Sequence, residues 1–536
     1  MRRGYLLLLL HAHLPFVRHP EYDEYREERW LFEAITESYL PLLDALERLH
    51  ADRVPYRITL SLSPPLLALL SDRLLQSRYL HHLEALIELS GRERLRTRGQ
   101  AEPHALAHWY QAWLISTRAR YVERYGCDLV RGFLELARAG GLELITSAAT
   151  HGFLPLLRTE TVAVDAQLRV ARQAFRAVAG GFPAGLWLPE CGYFEGLDRT
   201  LATEGFRFAF LESHGVSHAR PRLRHGVEQP LASPAGLALF GRDPACSREV
   251  WSRDQGYPGH PLYREYHRDI GYELDDGELG TLPAGQPTGL KYHRVTDRRS
   301  GNKSWYDPAA AQAQARRHAG DFVRSRLQAL GRSRLRDRPP LFTAPYDAEL
   351  FGHWWFEGPH WVEQVAREAV ADGRIELIAA SDYLERHPLL PKAEPSPSSW
   401  GEGGYNRFWI GGSNAWLYPH LHAAARTLRE LADCPGEPET LTRRALNQAA
   451  RCLLLAQASD WTFIMRSGTA VDYAEGRVRD YLARFHYLIR AVRDGCIDQR
   501  RLAALEQMDN IFPGLDFRVF ASGESRPKAC GEEVRP

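Results

Sequence analysis

One segment type recurs along this chain and constrains its fold: a short apolar run that stops at a histidine or an acid beside Pro, Gly or an aromatic residue. Gly4 to Leu10 leads into His11-Ala12-His13-Leu14-Pro15, and Leu142 to Ser147 into Ala149-Thr150-His151-Gly152. Gly185 to Leu188 delivers Pro189-Glu190, Phe206 to Leu211 delivers Glu212-Ser213-His214, and Leu341 onward delivers Pro345-Tyr346-Asp347. With Tyr56 to Leu62 and Ile375 to Ala379, and with helical patterns between them, these runs read as buried parallel strands joined by βαβ crossovers. Histidines and acids that gather after the strands belong at the mouth of an α/β barrel of the TIM type, where that architecture keeps its chemistry.

Around these strands the pattern divides the chain. Trp30 to Leu49 has the spacing of an amphipathic helix, and residues 66–140 are helical throughout, an insertion between barrel strands. Residues 215–305 are poorly periodic and rich in Gly, Pro and Arg, which predicts a lid or substrate cleft. A helix follows near 308–330, then the Pro-rich linker 388–397, then helices at 419–433, 440–458 and 470–494. The expected organisation is a catalytic barrel over 1–65 and 141–387, a helical insertion over 66–140 and a C-terminal helical domain over 388–521. A disordered tail is expected over 522–536.

Composition narrows the partner. Lys+Arg number 68 against 67 Asp+Glu, a net charge of +1, so nothing favours nucleic acid or an anionic membrane, and a neutral substrate fits. Thirteen Trp and 23 Tyr supply flat faces of the kind that suit sugar rings. The seven cysteines are scattered and never form Cys-x-x-Cys, which predicts a reducing, cytoplasmic location and neither disulfides nor a zinc knuckle. The apolar run after Arg2-Arg3 is too short for a signal peptide, and no run approaches the ~18 residues of a membrane span.

Glu190 and Asp347 are two carboxyls on similar strand ends, each with aromatic neighbours, as cleavage of a glycosidic bond requires. His11 and His13 are two apart on a strand and face one way, which suits either hydrogen bonds to sugar hydroxyls or two ligands of a catalytic metal. The metal reading gives a polysaccharide deacetylase and leaves the Asp347 stretch without a role. A third reading is a glycan-binding protein without turnover, using Trp400, Trp409 and Trp416 as platforms.

Taken together, His11-Ala12-His13-Leu14-Pro15, Ala149-Thr150-His151-Gly152, Trp187-Leu188-Pro189-Glu190, Ala344-Pro345-Tyr346-Asp347-Ala348-Glu349-Leu350-Phe351-Gly352-His353-Trp354 and Ala458-Ser459-Asp460-Trp461 resemble the five motifs of glycoside hydrolase family 57. They closely resemble its 1,4-α-glucan branching enzyme subgroup. That resemblance implies a (β/α)7 barrel, an incomplete TIM-type barrel with a helical insertion and a C-terminal all-α domain, no metal or other cofactor, and retaining chemistry on an α-1,4-glucan. It implies Glu190 as nucleophile and Asp347 as general acid/base, with His11, His13, His151, Trp187, Trp354, Trp400, Trp409, Trp416 and Asp460 as the expected substrate-binding residues; a monomer is expected, though the sequence does not set the oligomeric state. In such a site Asp347 must hold a proton, which burial among Tyr346, Phe351, Trp354 and Trp355 and the charge of Glu190 would favour. Glu190 needs donors that keep it ionised, and His11, His13 and His151 are the expected ones. The chain departs from the branching enzymes in lacking their lid tyrosine: no tyrosine lies between Tyr193 and Tyr257, which predicts leakage of a glycosyl-enzyme to water.

Overall fold

The computed structural model describes residues 3–252, 255–297 and 301–523, so all of the expected tail after residue 523 lies outside the described residues. Among the described residues nine strands occur in chain order: β1 (Gly4–Ala12), β2 (Ile58–Leu62), β3 (Leu142–Ser147), β4 (Gly185–Trp187), β5 (Phe208–Leu211), β6 (Leu231–Ala232), β7 (Ala238–Gly241), β8 (Leu341–Asp347) and β9 (Ile375–Leu377). The run β7-β5-β4-β3-β2-β1-β8 is parallel throughout. β7 and β8 do not pair as strands, yet the curled sheet almost closes between them, for the Asp243 N–H donates to the carbonyl of Thr343 at 2.8 Å. The result is an incomplete barrel. The long connection after β5 hides β7, whose four residues are too few to show a period, inside the stretch expected to be a lid. β9 pairs with Gly4 to Leu6 at the start of β1 instead of extending the curve.

Alternation along β1 decides what reaches the interior. Leu7 and Leu9 pack inside with Trp187, Phe208, Phe210 and Phe240, while Leu6, Leu8 and Leu10 pack outward on the helices. Both faces are covered, so β1 is a near-continuous leucine run with every residue buried. His11 continues the inward parity. In β8, Leu341 packs inside and Phe342, Ala344 and Tyr346 outside, so Asp347 also falls on the inward parity, paired in register with His11. Residues 64–138 hold four α-helices, three of them begun by side-chain caps at Ser63, Asp72 and Asp128. Five helices follow the barrel: Leu417–Ala432, Thr440–Ala456, Ser459–Ser467, Val471–Arg493 and Gln499–Met508. The shortest of the five docks on the barrel mouth, where Ser459 N–H donates to His151 O at 3.0 Å.

The helical stretch after β1 contains a π-helical turn, Ile35–Tyr39, with all five residues buried. Such turns cluster at functional sites. Gly352 packs against it at φ +115, and a Cβ there would lie 1.8 Å from the carbonyl oxygen of Glu37. Gly352→Ala should therefore destabilise the protein by at least ~3 kcal/mol, from backbone strain and a clash that only main-chain movement relieves. Denaturant midpoints measure this, and a variant within 1 kcal/mol of the parent would show that the turn yields easily.

Candidate active site

A cavity of about 710 Å³ at the barrel mouth is lined by Glu190 and Asp347 together with Glu212, Arg242, Trp400 and Trp409. Glu190 reaches it through a strained turn. Pro189 cannot continue the β4 ladder, and the next two residues, Glu190 (φ 60) and Cys191 (φ 51), both take left-handed backbone conformations. Such positions persist only where surroundings fix them. Here the Trp400 N–H donates to Glu190 O at 2.7 Å and Tyr193 pairs with Ser398, so the segment after the barrel holds the turn in place.

The Glu190 carboxyl accepts a hydrogen bond from Ser459 Oγ at 2.9 Å. Ser459 in turn meets His151 Nδ1 at 2.9 Å, His151 Nε2 meets His11 Nε2 at 3.0 Å, and His11 Nδ1 meets Ser61 Oγ at 3.1 Å. Burial lowers the pKa of His11 and of His151 well below the usual histidine range, with the nearby imidazoles adding to it, so both rings are neutral. Each neutral ring has one donor and one acceptor. With Ser459 donating to an ionised Glu190, every step is then assigned: Ser61 donates to His11, His11 to His151, and His151 to Ser459. All four bonds point their donors toward the carboxylate and polarise one another. Burial pushes the Glu190 carboxyl well up and the charges of Asp460 and Asp347 add to that; the Ser459 bond opposes it. The expected histidine donors thus act through a serine: His151 Nδ1 itself stays 3.7 Å from the carboxylate.

Asp347 is pushed up to about 6 by burial, while Arg242 and His13 pull it down. Two of its aromatic neighbours in sequence, Tyr346 and Trp354, turn away from it. The Tyr346 ring turns to the outer side against Phe351, with its hydroxyl on Cys246 O, and Trp354 is 54% exposed. Two positions on, Glu349 accepts from the Tyr39 hydroxyl at 2.5 Å and from the His13 N–H at 3.1 Å. Burial raises Glu349 to about 8 despite the Tyr39 bond, so at neutral pH it adds no second negative charge beside Asp347.

The other expected substrate contacts divide. Trp400 and Trp409 line the cavity, Trp409 with only 2% of its surface exposed. Trp187 is 0% exposed and forms the wall behind the site, stacked on His11 at 5.0 Å and edge-on to Trp400, so it has no surface to offer a sugar. Trp416 lies outside the cavity lining under Arg479, and Trp354 stacks on Tyr266 at 4.4 Å, also outside it. His11 and His151 are buried with both ring nitrogens engaged, and Asp460 accepts from His13 Nε2 at 3.0 and 3.1 Å. None of these four lines the cavity. Missed in the sequence were Ser459, quoted within a motif but given no task, and Arg242, which follows the unrecognised β7 and bonds Glu212 at 3.1 Å.

Ligand atoms of His13, His151 and Asp460 lie within 4.8 Å of one another, the spacing a metal would need. The two rings, however, stack face to face at 3.9 Å and 19°, and Ser63, Asp460, Ser459 and His11 engage their four nitrogens. Lone pairs that converge on one ion are not what this arrangement presents.

Comparison with known proteins follows the same lines. A family model described as glycosyl hydrolase family 57 matches residues 7–390, and one described as the C-terminal region of 1,4-α-glucan branching enzyme matches 420–520. The chain is 31% identical to a 1,4-α-glucan branching enzyme of Thermococcus kodakarensis, over 100% of its own length and 81% of that protein. Among solved structures, an α-amylase of Thermotoga maritima matches with TM-score 0.90 and 38% identity, covering 97% of this chain and 99% of that one. A branching enzyme of Pyrococcus horikoshii matches with TM-score 0.88 and 30% identity, covering 98% of each.

The Ser459 bond carries a pH signature. It favours the charged form of Glu190, so Ser459→Ala should raise the Glu190 pKa further and move the acid limb of kcat/KM to higher pH. A hydrogen bond to a charged group is worth ~1.5–3 kcal/mol, so turnover at the parent's optimum should fall by ~10-fold or more. An unshifted acid limb in a folded Ser459→Ala variant would remove Ser459 from this role.

Proposed function

Because this chain belongs to glycosyl hydrolase family 57, we propose that it cleaves α-1,4 bonds of an α-glucan with retention and transfers the released chain to a 6-hydroxyl, making α-1,6 branches. The observation that carries this is the pair Glu190 and Asp347 on one aromatic-lined cavity, with a directed line of donors ending on Glu190 alone. The branching enzymes among its relatives supply the acceptor half of the reading.

In the first step Asp347 gives its proton to the glycosidic oxygen while Glu190 attacks the anomeric carbon, and the C–O bond breaks to leave a glycosyl ester on Glu190. In the second, Asp347 takes the proton of an acceptor 6-hydroxyl, whose oxygen attacks the anomeric carbon and frees Glu190. Burial raises both carboxyls, so between their titrations the pair shares one proton. Substrate places it: positive charge developing at the anomeric carbon favours the Glu190 anion, and the leaving oxygen draws the proton to Asp347. Arg242 and His13, which pull Asp347 down, help it return as a base. Both carboxyls and Ser459 come from one chain, so a monomer suffices. An α-glucan store and the free cysteines Cys127, Cys191, Cys246, Cys434, Cys452 and Cys496 fit the cytoplasm. No helix among the described residues is long and apolar enough to cross a membrane.

Hydrolysis is the second reading, favoured by the missing tyrosine and by the likeness to an α-amylase. Part of the stretch expected to form the lid is built into β6, β7 and the helices Ser213–Ser217 and Pro244–Trp251. That stretch supplies the exposed Trp251 to the cavity lining, and Gly401–Gly404 and the exposed Phe463 supply the rest of its rim. Partition between water and a 6-hydroxyl is a difference of two barriers, and ~1.4 kcal/mol shifts it tenfold.

Glu190→Gln and Asp347→Asn should each lower turnover by ~10³ or more with the fold intact. Azide should rescue the Glu190 variant with inverted and the Asp347 variant with retained configuration; more than a tenth of parental activity in either variant would refute the assignment. On amylose, the parent should give new α-1,6 linkages together with measurable new reducing ends. Branches with almost no reducing ends would mean that another group closes the site against water, and reducing ends alone would make the protein a hydrolase.

A further inference from the structure

We propose that a groove between the helix Ala101–Ala119 and the helix Pro308–Arg332 is a second binding site for an α-glucan chain, an inference that rests on the α-glucan reading of the active site. A cavity of about 230 Å³ lies between Trp109 and Trp113 on one side and Tyr306 and Phe356 on the other. Trp109, Tyr306 and Gln312 also line an adjoining cavity of about 500 Å³ that reaches Trp305. No residue of either lines the catalytic cavity.

The aromatic faces are held in place. Trp109 and Trp113, one helical turn apart, have parallel rings, 4° between planes and 6.1 Å between centroids. Phe356 stands edge-on to both, with the Arg264 guanidinium 3.8 Å above its ring. Trp305, 37% exposed, is backed by the His293 ring at 4.7 Å. Several charged residues of the wall are paired, Asp44 with Arg120, Arg48 with Glu363 and Glu37 with Arg264, which offsets much of their charge and suits a neutral ligand.

Glu357 distinguishes a sugar from an apolar peptide. It is 3% exposed and lines the cavity, and one of its carboxyl oxygens accepts from the Tyr306 hydroxyl at 2.7 Å and the Arg264 N–H at 3.2 Å. The other has no hydrogen-bond partner among the described residues. A buried acceptor left bare is costly, and an apolar occupant would leave it so. A glucose unit offers what the wall asks for: apolar ring faces for the indoles and hydroxyl donors for the acid. Held there, one stretch of a long glucan raises the concentration of the rest of the chain at the catalytic cavity.

The test uses the full-length protein. The parent should be retarded in native gels containing amylopectin, and a Trp109→Ala, Trp305→Ala double variant should lose most of that retardation and show a KM for amylose raised about 5-fold or more. Its turnover of a short maltooligosaccharide should stay within about twofold of the parent's. Parental retardation in the folded double variant would overturn the proposal, whereas a parent inactive on amylose and on maltooligosaccharides alike would remove the α-glucan reading itself. Should the double variant fail to fold, hydrogen exchange in the parent decides: amylopectin should protect backbone amides of 109–119 and 305–312, and no gain in protection there would overturn the proposal.

Discussion

A carboxylate sunk in a barrel mouth must carry its charge without water, and the bond from Ser459 to Glu190 is what the rest of this structure serves. Desolvation works against the anion; one hydroxyl, fed through His151, His11 and Ser61, works for it. The line begins on β2, passes through β1 and the loop after β3, and ends on a helix far along the chain. The C-terminal helices therefore reach the site through Ser459. Ser459 N–H to His151 O, the Gly152–Ala458 bridge and Trp400 N–H to Glu190 O fix both the donor and the strained turn that presents the acceptor.

Strand parity places the second carboxyl. His11 and Asp347 are register partners across β1 and β8, and Ser61 is His11's partner across β1 and β2, so three functional side chains sit side by side because their strands align. A slip of one residue in β8 would put Tyr346 into the cavity and Asp347 among the helices. That dependence explains why the runs preceding these residues are so apolar: they hold the register as well as the core.

Much of this was legible in the sequence. Leucine runs ending in histidine or acid named the barrel strands, and the pairing of Glu190 with Asp347 on one cavity followed from two stretches of similar character. What escaped had physical reasons. β7 is four residues long, with no period to read, and so Arg242 at its end could not be placed. Trp187 reads as a platform because tryptophan beside an acid suits a sugar, yet inward parity buries it behind His11. Tyr346 reads as a neighbour of Asp347, and alternation puts it on the opposite face. Ser459 has no signature of its own; its task exists only because the helix it begins docks next to His151.

The most direct test is covalent. A fluorinated maltosyl fluoride, whose glycosyl-enzyme breaks down slowly, should label the protein once, and peptide mass analysis should place the label on Glu190. Labelling should be slower in Ser459→Ala, because the anion that attacks is then less available. A label on the peptide carrying Asp347, or steady turnover of the reagent with no covalent species on Glu190, would contradict the retaining assignment.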